Sequence, residues 1–286
     1  MQRELYYKPS NKAHPLGLLG LLLITVIAGS AISIPYLLLV RIIPFAKLSV
    51  ILTLVFGGVM GALGSLTCSL FKIRNRTLAI AVSVIGILIY TYFKWAAHVS
   101  YIFEESYTYI LKDLLLDPID LLAKIIRINE EGTWSYGTNS PPVTGIVLAI
   151  VWLLEFLIYA IIHLLVINDK VNDPFIEKDN AWAKKLDAKF FFRDFNVQSN
   201  RAAIENDPGF LLTYLEAPQN IVNTGYLEAE LYHSSDFSEN YLDIAQIIIT
   251  NASKNNRQNK KVMKKLAVSR EFVSNLLTQN GMSFPA

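Results

Sequence analysis

Four long apolar stretches occupy the first part of the chain, and a polar segment of more than a hundred residues follows them. The stretches run from Pro15 to Val40, from about Leu48 to Phe71, from Thr77 to about Val99, and from Thr144 to about Ile167. Each is close to the roughly 20 residues that a helix needs to cross the hydrocarbon core of a bilayer, or longer. The pattern predicts an α-helical membrane protein, with a four-span transmembrane bundle followed by a small α+β cytoplasmic domain.

This pattern divides the chain into five segments. They are a cytoplasmic N-terminal segment (1–14), transmembrane helices 1–3 (15–99), an extracytoplasmic loop with an amphipathic helix (100–143), transmembrane helix 4 (144–167) and a cytoplasmic α+β domain (168–286). A cleaved signal peptide is the alternative for the first stretch, because Ala28-Gly29-Ser30 resembles a cleavage box. The apolar stretch continues well past that box, which favours a retained span.

Basic residues near the ends of the stretches predict the orientation. They fall before the first stretch, between the second and third, and after the fourth: Arg3, Lys8, Lys12, Lys72, Arg74, Arg76 and Lys170. With four spans these positions share one side, and the positive-inside rule makes that side cytoplasmic. We therefore expect both termini in the cytoplasm.

Local signals predict the elements outside the spans. Asp117 followed by Pro118 is typical of a helix start, and that helix should end at Gly132. In the polar segment, 226–232 alternates with period two and predicts a strand, and 241–250 predicts a second strand. A last helix should begin near Ser269.

Composition limits the chemistry that this chain can carry. Of its 286 residues 52% are hydrophobic and 17% charged, which is typical of a protein that uses the bilayer as part of its solvent. Cys68 is the single cysteine, so the chain cannot form an internal disulfide or a thiolate metal cluster. We find no nucleotide-binding, hydrolase or metalloprotease motif. The sequence therefore predicts no catalytic residues, no metal and no cofactor, and favours a protein that is not an enzyme.

Glu155 lies in the middle of the fourth stretch, where an ionised carboxylate is costly. Tyr159 and His163 follow it one and two helical turns later, and His98 is a further polar candidate near the end of the third stretch. Lys94 and His98 can reach water by extending toward the headgroups, and either could be a partner of Glu155 only if the end of the third span dips inward. Two interpretations of Glu155 stay open. It is a functional residue, namely a proton or cation site or a contact with a partner's span, or it is a neutral carboxyl that hydrogen-bonds to a neighbouring helix and holds the bundle together.

Small residues form a stripe in the second stretch. Gly57, Gly61, Gly64 and Ser65 are spaced so that one face of the helix carries little side-chain volume. Such a face lets a neighbouring helix approach the backbone closely. The stripe predicts helix packing rather than chemistry.

A cluster of basic residues lies near the end of the chain. On a helix they would share one arc, opposite to an apolar arc: Lys254, Arg257, Lys260, Lys261, Lys264 and Lys265. Three interpretations stay open, namely a solvated linker, a surface for anionic lipid or an acidic partner, and nucleic-acid binding. Nucleic acid ranks last because no aromatic residues lie between the lysines.

Several short segments resemble a group of bacterial multi-pass membrane proteins to which no activity is assigned. The segments are Tyr6-Tyr7-Lys8-Pro9-Ser10, Ile43-Pro44-Phe45, Lys72-Ile73-Arg74-Asn75, Gly132-Thr133-Trp134-Ser135 and Trp152-Leu153-Leu154-Glu155. Such proteins often carry a Pro-Phe-Cys-x-x-Cys element after the last span. Here Pro174-Phe175 is followed by Ile176 and Asp179 at the cysteine positions, so the metal-binding role does not carry over. The resemblance implies a bacterial inner-membrane location.

These observations favour a membrane-anchored scaffold or regulator whose cytoplasmic domain binds a partner or the membrane face. The alternative is a small oligomeric transporter or channel that uses Glu155, and a membrane-embedded enzyme ranks third. The expected partners are the lipid bilayer, a cytoplasmic protein and a second copy of the chain, whereas nucleic acid is not expected.

Overall fold

The structure is a computed structural model that describes residues 4–42, 46–104, 115–132, 141–217, 225–251 and 256–284. The chain folds into two compact units. Ser10–Asn172 forms a helical unit, and Met1–Pro9 together with Asp173–Ala286 forms a unit built on a sheet. The boundary near Asn172 lies close to the predicted end of the fourth span, but the inclusion of the N-terminal segment in the second unit was not predicted.

Four long helices form the helical unit, and each is long and apolar enough to cross a membrane. They are α1 (Pro15–Ile42), α2 (Ala46–Leu70), α3 (Arg76–Glu104) and α5 (Gly145–Val171). The prediction of four apolar helices is confirmed, and the protein is a multi-pass membrane protein. Many of their large apolar side chains are exposed on the outside of the bundle, as expected for surfaces that face lipid rather than water.

The four helices are arranged as a ring in which α1 contacts α2 and α3, and α5 contacts the same two helices from the other side. Close packing depends on glycine at several crossings. A Cβ added at Gly29 would lie 2.6 Å from the Tyr90 ring, and one added at Gly86 would lie 2.7 Å from Thr25. These two contacts explain why α1 and α3 can pack directly against each other.

A short amphipathic helix, α4 (Pro118–Glu131), connects α3 to α5. It begins as predicted: the Asp117 carboxylate accepts hydrogen bonds from the backbone N–H groups of residues 119 and 120. Leu121 and Ile128 are buried with Ala96 and Val99 of α3. The opposite side exposes apolar side chains, among them Ile119, which is 79% exposed. One face of α4 therefore packs on the bundle and another is free to contact lipid.

The second unit contains a two-stranded hairpin, a five-stranded antiparallel sheet and short helices. The strands are β1 (Phe175–Ile176), β2 (Ala181–Trp182), β3 (Lys184–Arg193), β4 (Leu215–Glu216), β5 (Tyr226–His233), β6 (Asn240–Asn251) and β7 (Asn256–Val268). The order in the sheet is β4-β3-β5-β6-β7. The helices are α6 (Arg201–Asn206), a 3-10 helix (Pro208–Tyr214) and α7 (Arg270–Gln279).

The core of this unit lies between one face of the sheet and the helices. Phe190 and Phe192 of β3, Leu227 of β5 and Leu266 of β7 are fully buried there, with Leu276 of α7. The structure confirms the two predicted strands, at 226–232 and 241–250, as β5 and β6. It also confirms the last helix, because Ser269 is the N-cap of α7 and accepts a hydrogen bond from the Phe272 backbone N–H. The polar segment is therefore a folded α+β domain.

The N-terminal segment pairs with the edge strand of this sheet. The backbone N–H of Tyr7 donates to the carbonyl of Lys265 at 3.0 Å, and the N–H of Ala267 donates to the carbonyl of Leu5 at 2.9 Å. Tyr6 forms an antiparallel bridge with Leu266. Because β7 is an edge strand, these bonds satisfy backbone groups that would otherwise be open to another chain. The segment before the helical unit and the segment after it thus belong to one folded domain.

Candidate functional site

The polar residues inside the bundle converge around Lys94 of α3 and Glu155 of α5. Lys94 is buried, with 9% of its surface exposed, and the Glu155 side chain is half-buried. The two charges interact electrostatically. The expectation that Lys94 reaches water is wrong, since its side chain points into the bundle. Glu155 lies about 15 Å along its helix from Gly145, near the middle of the apolar helix.

Two tyrosine rings hold the Lys94 ammonium. Its Nζ lies 4.8 Å from the ring centroid of Tyr36 on α1 and 5.1 Å from that of Tyr159 on α5. Both distances are within the range of cation–π attraction, which contributes about 2 kcal/mol or more where the cation is desolvated. The electrostatic field of Glu155 also reaches both tyrosines. We call Tyr36, Tyr159 and Glu155 the ammonium cage.

Hydrogen bonds and ring contacts fix the orientation of the cage walls. The Tyr36 hydroxyl shares a hydrogen bond of 3.0 Å with Thr53, and the Tyr159 hydroxyl shares one of 2.8 Å with Thr91. The Phe56 ring is tilted against Tyr36 at a centroid distance of 5.2 Å and packs edge-on against Tyr159 at 5.5 Å. The rings are therefore held in place by neighbours on α2 and α3, which preorganises the site.

The predicted histidines do not join the ammonium cage. His163 is fully buried, and within the described part of the chain neither of its ring nitrogens has a hydrogen-bond partner. His98 is half-buried and packs against Trp95, with ring centroids 5.7 Å apart. Of the four predicted candidates, the structure brings together Glu155 and Tyr159. Tyr36 was not predicted from the sequence, and Lys94 was predicted as a partner of Glu155 only for a third span whose end dips inward.

The predicted glycine stripe of α2 lies against α5. A Cβ added at Gly57 would lie 2.9 Å from the Tyr159 Cα, one at Gly61 would lie 2.8 Å from Val166, and one at Gly64 would lie 2.6 Å from Ile167. Ser65 is half-buried on the same helix. The close approach of α2 brings the α5 backbone inward at Tyr159. The glycines thus contribute indirectly to the position of one cage wall.

The basic cluster of the second unit is arranged differently from the prediction. The segment is not a helix but strand β7, so the arc of basic residues does not exist. Lys254 lies outside the described residues, and Arg257 lies on β7 opposite Ile249. Neighbouring residues of a strand point to opposite faces, so Lys260 and Lys261 are separated. Lys260 pairs in register with Gln246, whereas Lys261 pairs with Ala245 on the other face.

Asp243 of β6 is the most buried charge of the sheet and binds two of the predicted lysines. It is 3% exposed, accepts a 2.7 Å hydrogen bond from the Lys265 backbone N–H, and lies 3.1 Å and 3.5 Å from the ammonium groups of Lys265 and Lys261. Lys265 adopts a φ of 54° at a bulge in β7. Burial lowers the pKa of Lys265, although Asp243 opposes that shift. Lys261 and Lys265 are thus engaged within the domain.

Lys260, Lys261 and Lys264 are exposed, and Lys261 also forms the ion pair with Asp243. Lys260 lines a surface cavity of about 310 Å³ with Asp194, Gln198 and Gln246. Anionic lipid attracts a basic surface by about 1 kcal/mol per cation, but a strand sends neighbouring lysines to opposite faces and does not form the continuous basic arc of a helix. Binding of anionic lipid or an acidic partner by this cluster stays a prediction.

Among the described residues, no group of three or more His, Cys, Asp or Glu side chains is placed to hold a metal ion. Comparisons with family models, with curated proteins and with solved structures found no match. The functional interpretation therefore depends on the geometry of the two units alone.

Proposed function

We propose that this protein is a bacterial inner-membrane scaffold or regulator, in which a four-span bundle presents a cytoplasmic α+β domain to a protein partner. The observation that supports this function best is the joining of Met1–Pro9 to Asp173–Ala286 in one unit. The domain is thereby connected to the bundle twice, through α1 and through α5.

The same pairing supports one side for both chain ends. A domain that contains residues from before the first span and after the fourth requires an even number of crossings. The basic residues at those flanks favour the cytoplasm, in agreement with the positive-inside rule. Two ion pairs cross neighbouring strands at the surface of the domain, Lys185–Glu230 at 2.8 Å and Lys189–Glu228 at 2.6 Å. We expect this charged surface to interact with a protein.

Photo-crosslinking in cells tests this proposal with the full chain. A photoreactive amino acid at Lys264 or Lys184, both exposed on the domain, should give one discrete adduct with a second protein. The matched control is Leu153, which is 56% exposed on α5 and should contact lipid. Protein adducts at Leu153 but none at the two domain positions would contradict the docking function.

A second candidate function is a small oligomeric transporter or channel, and the ammonium cage is the observation that favours it. A buried lysine and a carboxylate in the same bundle are expensive to place in a membrane, and such groups are characteristic of ion and substrate pathways. Glu155→Gln should abolish flux through the reconstituted protein if this function is right. Unchanged flux in that variant would exclude Glu155 from the pathway.

A further inference from the structure

The ammonium cage has the composition of a binding site for an organic cation. Two aromatic faces from different helices flank the Lys94 ammonium at 4.8 Å and 5.1 Å, and the Glu155 carboxyl interacts with it electrostatically. Aromatic faces that converge on one cation are the usual means by which proteins recognise quaternary ammonium groups. Here a side chain of the protein itself takes the place of the ligand.

The fit between Lys94 and this site is incomplete. A lysine ammonium carries three N–H donors, yet among the described residues it contacts the rings and the field of Glu155 without a hydrogen-bond acceptor. A quaternary ammonium carries no N–H group and therefore needs no acceptor in this site.

The hydroxyl groups of the cage walls do not compensate for these missing acceptors. The Tyr36 hydroxyl is engaged with Thr53 and the Tyr159 hydroxyl with Thr91, so the rings present their faces rather than their oxygens to the cation. The site therefore offers charge and π faces, but little hydrogen bonding. This combination matches a methylated ammonium better than a primary amine or a hydrated metal cation.

We propose that the ammonium cage binds a small quaternary ammonium cation, and that Lys94 occupies the cage as a tethered substitute when the ligand is absent. The exchange breaks no covalent bond. The Lys94 ammonium withdraws along its four-carbon stem toward the headgroup level, and the incoming cation restores neutrality beside Glu155. This inference rests on the second candidate function, for which it names the substrate class.

The test uses the full chain purified in detergent and choline as the probe. Lys94→Ala removes the tethered cation and the side-chain volume that fills the cage, so choline should raise the unfolding temperature of this variant. Because a tethered group competes at high effective concentration, choline should bind the variant about tenfold more tightly than the unchanged protein, or more so. Adding Glu155→Gln should remove the effect.

A neutral analogue of choline, 3,3-dimethylbutan-1-ol, is the matched ligand control. Equal stabilisation by this alcohol, or undiminished choline binding in the double variant, would overturn the proposal, because volume rather than charge would explain it. A folded Lys94→Ala variant that does not respond to choline would also overturn it. If the variant does not fold, the proposal is tested by labelling Lys94 in the unchanged protein with an amine-reactive reagent. Excess choline must then speed the labelling of Lys94 severalfold, and an unchanged rate would overturn the proposal.

Flux measurements separate this inference from the function on which it rests. If choline binds in a Glu155-dependent way but is not taken up into liposomes, the proposed binding site is supported and the transport function is rejected. If other solutes are taken up but choline does not bind, the transport function is supported and the proposed substrate class is rejected.

Discussion

Tyr6 connects the N-terminal segment to the C-terminal part of the domain, and its removal should release that segment. Its hydroxyl donates to the Glu205 carboxylate at 2.5 Å and accepts a hydrogen bond from Arg201 at 3.1 Å. The ring is half-buried and packs against the domain core. Tyr6→Phe should therefore lose about 1–2 kcal/mol, the contribution of a hydrogen bond to a charged group. Tyr6→Ala should lose about 2–4 kcal/mol, since the ring contacts are lost as well.

Hydrogen exchange of the full chain in detergent measures this loss where it should occur. The Ala267 amide donates to Leu5, so its exchange reports whether the segment is attached to β7. A loss of about 2–4 kcal/mol in Tyr6→Ala corresponds to exchange about 30- to 900-fold faster. Lys8→Ala is the control, because the Lys8–Glu4 ion pair is highly exposed and should contribute less than about 1 kcal/mol.

Unchanged exchange at Ala267 in Tyr6→Ala would refute the reasoning, since it would mean that the segment is held by something other than Tyr6. Equal acceleration in Lys8→Ala would refute it in a different way, because a general loss of stability would then explain the result.

Two further predictions concern the helix crossing and the pH dependence of the domain. Gly61→Leu should destabilise the bundle by about 1–3 kcal/mol, because the new side chain would meet Val166. Gly58→Leu is the control: its side chain enters open space and should leave the melting temperature in detergent nearly unchanged. An equal loss of stability in both variants would contradict the close packing of α2 on α5. The Lys178 ammonium, together with bonds from Ser238, holds the pKa of Asp236 well below its usual range. Because the pKa is lowered in the folded state, the ionised Asp236 stabilises the domain at pH values above the unfolded pKa of about 3.9, and this stabilisation is lost as the pH falls through the folded-state pKa. NMR should therefore find the Asp236 carboxyl ionised at pH 4, and its pKa should be higher in Lys178→Met.

Local signals were sufficient where neighbouring residues decide the structure. Asp117 and Pro118 start α4 because a carboxylate acceptor and a fixed φ act within one helical turn. Hydrophobic length was sufficient for the four spans, since the bilayer sets that length. The period-two alternation of β5 was readable because one of its faces is the domain core.

Signals failed where the deciding partner is distant in the sequence. The lysines of β7 match a helical period, yet pairing with β6 and a bulge at Lys265 place them in a strand. Lys94 reads as a cation near the end of a span, but rings on α1 and α5 draw it into the bundle. The pairing of Tyr6 with Leu266 spans most of the chain, so no local pattern could reveal it.

The central claim is that both ends of the chain form one domain on the cytoplasmic face of the membrane. Single cysteines at Lys8, Lys264 and Glu130, in a chain whose buried Cys68 is replaced by Ala, test it through labelling of intact cells with a membrane-impermeant maleimide. We expect labelling at Glu130 in intact cells, and labelling at Lys8 and Lys264 only after permeabilisation. Labelling of Lys8 and Lys264 from opposite sides would contradict the single domain, and labelling of both in intact cells would contradict its cytoplasmic location.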